Sequence, residues 1–468
     1  MAKTKTIGEE KEALLFAAIH QSQNAPVAGA RSLPELSGLH STKLIYTELS
    51  DNVILAAAGH MSASGRVYAR GSDVLYEKHD HAGNTTLTHL RLGGRIETMS
   101  ASLMANIFTC VHGPIEFPPP PWFVKIALMS ELLVGRLPSI VTYANRPVFD
   151  SEFNLCAQGW NSESGVLVHG PHIEPIIPEA TLTEAPAKER LPHHLKVLLG
   201  GFCFRADADV ANTLAMFLTG LLANHFVQDP KGLFLVDGNQ AGLGKTLLVQ
   251  CVGMVMDGVP LKLLTYKPDD TELEKQLCAI LRGTFQSVVL VDNAKAVGGT
   301  VISSQVIEAN SVAPIVALRI LGRSEMHSRP NDLLWAITMN DTRVSPDLAS
   351  RGVPLRMAYD GSPSDRVFTG PSPLDYAREH RTDILGELAG MVIQWNQAGR
   401  PQSSHTHRSQ RWASTVGGIL QVAGFPEFLR NSDEAAAAFN ALLDDLAALA
   451  EAVVTHGGPY IETQAKEK

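Results

Sequence analysis

Residues 233–246 read Leu-Phe-Leu-Val-Asp-Gly-Asn-Gln-Ala-Gly-Leu-Gly-Lys-Thr, a spacing of residue types that suits the binding of a polyphosphate. Gly238, Gly242 and Gly244 let backbone N–H groups turn inward around an anion, with Gln240, Ala241 and Leu243 completing the loop. Lys245 can reach the outer phosphates, and Thr246 offers a hydroxyl to Mg²⁺. Leu247 to Val252 begin a helix whose N-terminus faces the anion. One position departs from the usual pattern: Asn239 stands where the first glycine belongs, one residue after Gly238. The stretch implies a nucleoside triphosphate held with Mg²⁺.

A cradle of this kind needs a strand before it and partners beside it. Leu233 to Val236 form an apolar run suited to a parallel strand covered on both faces. A second apolar run, Ser287 to Val291, ends in Asp292, about fifty residues beyond Lys245, which suits a strand–helix–strand passage. Asp292 can hold Mg²⁺ through water opposite Thr246. Asn293 follows, where many ATPases place a glutamate to polarise the attacking water, so the base is open between Asp292 and a residue of a neighbouring subunit. A third run, Trp335 to Met339, ends in Asn340, which at a strand tip can bond the attacking water or the terminal phosphate. Arg351 lies just beyond it, in Ser345-Pro-Asp-Leu-Ala-Ser-Arg.

The order phosphate loop, Val-Asp-Asn at 291–293, Thr-x-Asn at 338–340 and Asp-Leu-x-x-Arg at 347–351 resembles the AAA+ ATPases of phages, plasmids and integrated elements. These include the helicase halves of primase–helicases and are related to superfamily 3 helicases. Val67–Leu75, Pro147–Gly165, Arg319–Ser324 and Trp412–Leu429 resemble the same group, so the likeness runs from residue 65 to residue 430 and is most specific over 233–357. It implies a homo-oligomer, a ring of six subunits, with Arg351 pointing at a neighbour's nucleotide. In superfamily 3 the segment holding Arg319, Arg323 and Arg329 is a hairpin whose basic residues line a central channel and grip DNA; the rival role for Arg319 and Arg323 is at the nucleotide or an adjacent subunit. Two departures stand out. Ser350 and Arg351 occupy a place where relatives often carry two arginines, and no acidic metal cluster suited to primase chemistry is visible.

The rest of the chain bounds these readings. A net charge of −9 over 468 residues excludes a protein that is basic all over, so DNA contact must be confined to a local feature such as a ring lining. Single-stranded or forked DNA is the expected partner. No apolar run is long enough to span a bilayer, and the N-terminus lacks the apolar core of a secretory signal. Five scattered cysteines without a Cys-x-x-Cys pair point to a reducing cytoplasm. His79-Asp-His81 and His405-Thr-His407 lie in polar loops and read as solvated histidines rather than metal sites.

The expected architecture is α/β, with an AAA+ or superfamily 3-like P-loop core at 201–360. A β-rich domain at 1–135 and a connector at 136–200 precede it, and a helical domain at 361–468, open to a winged-helix-like form, follows. Short strands are predicted at Val53–Ala57, Arg66–Arg70, Asp73–Tyr76 and Leu87–Leu92. Helices are predicted at Glu9–Ile19, Trp122–Val134, Ala206–His225, Pro373–Gln397, Gln410–Phe428 and Asp433–Val454. The leading expectation is an ATP-driven motor on DNA, a helicase or translocase in replication of a mobile element. Its rival is an ATP-gated assembly or loading protein, in replication initiation or phage defence, that separates no strands. A protein remodeller is a third, disfavoured by the lack of an aromatic at 296–305.

Overall fold

A computed structural model describes residues 42–46, 49–71, 73–79, 85–92, 95–96, 101–178, 184–283, 285–295, 301–322, 326–340, 343–367, 370–432 and 451. The helix predicted at Glu9–Ile19, Arg323, residues 296–300 and nearly all of the helix predicted at Asp433–Val454 lie outside the described residues.

The N-terminal part runs β1 (Thr42–Ile45), α1 (Asp51–Ala63), β2 (Val67–Arg70), β3 (Asp73–His79), β4 (Thr85–Leu92), β5 (Arg95–Ile96), α2 (Ala101–Ala105), β6 (Phe108–His112), β7 (Ile115–Phe117), α3 (Pro121–Met129) and α4 (Glu131–Val134). The strand predicted at Val53–Ala57 is part of a helix instead. Val53, Ile54, Ala57, Ala58 and Met61 are buried at helical spacing, and the Leu-Ala-Ala-Ala run has high helix propensity. The helix predicted from Trp122 breaks at Ser130, whose ψ of 126° is extended. One sheet has the order β2-β3-β4-β5 and is antiparallel; a second has the order β1-β6-β7. The connector supplies β8 (Thr142–Ala144), the antiparallel pair β9 (Gly159–Asn161) and β10 (Val166–Val168), and helices α5 (Ala187–Arg190) and α6 (His193–Gly200).

The core follows as α7 (Asp207–Leu221), β11 (Leu233–Gly238), α8 (Lys245–Asp257), β12 (Leu264–Thr265), α9 (Asp270–Gly283), β13 (Val288–Ala294), α10 (Gln305–Asn310), β14 (Ile315–Arg319), β15 (Met326–Pro330), β16 (Leu334–Met339), α11 (Pro346–Arg351) and β17 (Gly352–Met357). Its five-stranded sheet has the order β12-β13-β16-β11-β17, and every pairing is parallel. The strands are buried on both faces, and successive side chains divide between two cores. Phe234 and Val236 face a core built with α7, α8, α12 (Pro373–Glu379), α13 (Arg381–Gln397) and α14 (Gln410–Val422). Leu233 and Leu235 face the other, built with α9, α10, α11 and the β14–β15 hairpin. The C-terminal helices are therefore the cover on one face of the sheet.

The N-terminal sheet is joined to the core through buried charge. Asp332 accepts from Arg70 at 2.5 Å and from Arg329 at 2.7 Å. Burial pushes the Asp332 carboxyl up, but the two guanidiniums outweigh it and hold its pKa below the ordinary value. Gly71, at φ +58°, brings the β2–β3 turn so close to β15 that an added Cβ would lie 2.1 Å from the Ser328 carbonyl oxygen. Arg329 is thus buried against Asp332 and is not available to line a channel.

Candidate nucleotide site

The phosphate loop lies between β11 and α8. Gly242 and Gly244 adopt φ of +80° and +93°, values that L side chains rarely take. A Cβ on Gly238 would come within 3.1 Å of the Lys245 Nζ. Lys245 is buried, and its Nζ donates to the Gln240 carbonyl at 2.8 Å, spanning the loop it would serve. Burial lowers its pKa, with Asp237 and Cys203 opposing. Asn239 and Gln240 fasten the loop from outside. Tyr359 N–H donates to Asn239 Oδ1 at 3.3 Å, Asn239 Nδ2 donates to the Tyr359 carbonyl at 3.1 Å, and Gln240 Nε2 bonds the carbonyls of Tyr359 and Gly361. The amide at 239 ties the loop to the chain leaving β17, a role a glycine there could not fill.

β16 pairs with both β11 and β13, so its C-terminal end emerges between the loop and Asp292. Asp292 Oδ1 accepts from Thr246 Oγ1 at 2.6 Å and from Thr338 Oγ1 at 2.7 Å. Asn293 N–H in turn donates to Thr338 Oγ1 at 2.9 Å. This chain of bonds accompanies an irregularity in β13 between Val291 and Ala294, where Asn293 takes φ +56° and leaves its side chain exposed. Asparagine tolerates that left-handed backbone better than most residues. Asn340 follows β16 and is partly buried. The arrangement gathers Lys245, Thr246, Asp292 and Thr338 at one end of a parallel sheet, where such sheets bind ligands.

Arg351 sits elsewhere within the chain. It is buried at the end of α11, with its guanidinium paired to Asp347 at 2.5 Å and donating to the Glu308 carbonyl. Arg408, which the sequence did not single out, is exposed beside it and bonds Asp347 at 2.6 Å and Ser350 at 2.9 Å. Arg319 is exposed on the β14–β15 hairpin. His405 and His407, predicted to be solvated, are both half-buried: His407 lies beside Trp412, and burial lowers its pKa to about 4.

An open cleft of about 910 Å³ adjoins the loop, lined by Phe202, Gly244, Leu247, Tyr359, Arg366 and Pro371. The Arg366 guanidinium lies 5.6 Å from the Tyr359 ring centroid and bonds the Gly201 carbonyl at 2.6 Å. These walls come from segments before and after the core. No local pattern marks Phe202, Tyr359 or Arg366 in the sequence; the nearest signal is the Pro371-Ser-Pro373 turn that redirects the chain.

No protein-family model matches the chain, and no curated protein matches it. Among solved structures it is similar to the apo C-terminal region of NrS-1, at 11% identity over 80% of this chain and 75% of that one, with a TM-score of 0.39. It is also similar to the SCCmec type IV Cch active helicase, at 11% identity over 81% of this chain and 72% of that one, TM-score 0.33. A third likeness is to the JCV helicase, at 17% identity over 51% of this chain and 68% of that one, TM-score 0.21.

Proposed function

We propose that this chain is an ATP-hydrolysing ring motor acting on DNA, as a helicase or translocase in the replication of a mobile element, with an AAA+ or superfamily 3-like core. The observation that carries the reading is the hydrogen-bonded set Thr246–Asp292–Thr338 at the end of the parallel sheet, with Lys245 spanning the phosphate loop beside it. The site fits ATP with Mg²⁺: its glycines leave a cradle that a Cβ would crowd, and its hydroxyl and carboxylate are hard oxygen donors. Bound Mg²⁺ supplies charge neutralisation at the phosphates. Lys245 binds the outer phosphates, Thr246 and Asp292 hold the metal and its water, and Asn340 senses the terminal phosphate. Phe202 and Tyr359 flank the cleft that takes the base. Arg351 completes the site of a neighbouring subunit in a hexamer, sharing its anchor Asp347 with Arg408. Arg319, on the hairpin, together with Arg323 supplies the local positive charge that contacts DNA.

The test is single-turnover unwinding of a forked duplex with ATP, using Lys245→Ala as control. Strand separation by the wild type alone is expected. Hydrolysis that DNA does not stimulate, with no strands separated, rejects the motor. One observation favours a second reading: Asn293, exposed and with no carboxylate, stands where a glutamate would polarise water. An ATP-gated assembly protein would bind nucleotide through the same loop and turn it over slowly, with no unwinding.

A further inference from the structure

α6, whose later residues line the nucleotide cleft, meets the joint between α12 and α13 at its other end. His194 comes from the first turn of α6, His380 from the joint itself and Asp383 from the first turn of α13. One potential ligand atom from each lies within 4.8 Å of the others. Asp383 Oδ2 is 3.3 Å from His380 Nδ1 and 3.8 Å from His194 Nε2.

These separations are long for charge-assisted hydrogen bonds, which run at roughly 2.7–2.9 Å. They are close to the edges of a coordination tetrahedron, roughly 3.3 Å when metal–ligand bonds are about 2.0 Å. The surroundings orient the group. Tyr376 Oη lies 3.0 Å from His194 Nδ1, which leaves Nε2 as the free ligand atom and supplies the outer partner that metal-bound imidazoles usually have. Glu387 accepts from the backbone N–H groups of His194 at 2.7 Å and Leu195 at 2.9 Å, fixing the helix start that carries the ring. The Asp383 side chain is half exposed, so water reaches the cluster from that side.

We propose that His194, His380 and Asp383 bind one divalent transition-metal ion of the zinc class, stapling α6 to α12 and α13. Two imidazoles with one carboxylate suit zinc better than Mg²⁺ or Ca²⁺, which prefer oxygen donors throughout. The site shares no residue with the phosphate loop or Asp292, so it is tested without nucleotide and stands or falls apart from the ATPase reading.

The full chain, stripped with chelator, is titrated with Co²⁺ and then Zn²⁺. The expected result is one Co²⁺ per chain with the visible absorption of a four-coordinate site, displaced by Zn²⁺, and a higher melting temperature with Zn²⁺. His194→Ala and His380→Ala should each lose the band and the melting shift, and Asp383→Asn should weaken binding about 10-fold or more. His172→Ala, at an exposed histidine outside the cluster, should behave as wild type. Should the alanine variants fail to fold, His380→Gln replaces them, keeping a polar side chain but no imidazole. Absence of Co²⁺ uptake by the wild type overturns the proposal. So does a band or melting shift that survives His380→Gln.

Discussion

The Asp292 carboxylate is held by hydroxyls on both sides, from Thr246 at 2.6 Å and Thr338 at 2.7 Å. Both hydroxyls donate to the same oxygen, Oδ1, and Thr338 Oγ1 also accepts from Asn293 N–H. Thr338 is a positioning residue in this arrangement: it fixes the carboxylate and takes up the amide of the β13 irregularity. Thr338→Val keeps the volume and removes both bonds. It should slow ATP hydrolysis about 10–100-fold, the usual penalty for losing an outer partner of a metal ligand. Nucleotide binding through Lys245 should persist, measured by titration with a fluorescent ATP analogue. Equal loss of binding and turnover would show that Thr338 serves the loop and not Asp292. Thr338 stands inside a sequence motif, yet its partner could not be read there, because strand order alone decides that β16 sits next to β13.

At the scale of elements, glycine positions report how closely segments dock. Gly390 lies in the middle of α13 against the extended segment at 174–177, where an added Cβ would stand 1.8 Å from the Ile176 carbonyl oxygen. Gly386, one turn earlier, accepts Ile176 N–H at 2.9 Å. A methyl group there meets backbone, which cannot rotate away. Gly390→Ala should therefore destabilise the protein by about 3 kcal/mol or more, despite the higher helix propensity of alanine. Urea denaturation checks this; a stabilised variant would show that the segment does not dock. Local propensity also explains what sequence reading misplaced. The Val53–Ala57 stretch is apolar at every position, so its period is ambiguous, and packing of one face chose the helix. The helix predicted over Pro373–Gln397 is two helices meeting at His380, and that break carries one of the clustered histidines.

Among the described residues His327 is buried, and His89, His225 and His407 are half-buried. Burial, reinforced by Arg329, Arg282 and Arg70, lowers the pKa of His327 to about 3. His89, His225 and His407 are lowered to about 4, chiefly by burial. Each folded-state pKa lies below the unfolded value near 6.5, so the unfolded chain takes up more protons as pH falls. The stability these rings contribute is complete above that value and is lost progressively as pH drops toward 4, by up to about 1.4 kcal/mol per ring and pH unit. The melting temperature should fall steadily from pH 7 to pH 5, and His327→Gln should flatten part of that slope. A His327→Gln variant with the same slope as the wild type over this range would contradict the burial of that ring. The oligomer has its own test. Mixing Arg351→Ala with Lys245→Ala subunits should regain ATPase activity that neither has alone, because mixed interfaces restore some intact sites. Arg351 is also buried on Asp347 within its chain, so the melting temperature of Arg351→Ala is measured alongside. Activity regained with that temperature unchanged supports a role across the interface; Arg351→Ala with full activity alone removes it.

By itself the sequence determined the strand, the phosphate loop and the start of the helix from Leu233 to Val252, because glycine spacing, an apolar run and a helix start are local properties of the chain. It also marked Asp292 and Asn340 as polar ends of apolar runs. Only the tertiary structure decided which oxygens meet, since Thr338 reaches Asp292 through strand order and Asn239 reaches Tyr359 across the sheet edge. The same holds for Arg329, one of three basic residues in a suggestive segment, which pairs with Asp332, an acid it shares with Arg70 at a buried junction. His194, His380 and Asp383 share no motif at all. Their meeting depends on how α6 packs against α12 and α13, and contacts between segments distant in the chain leave no spacing to read.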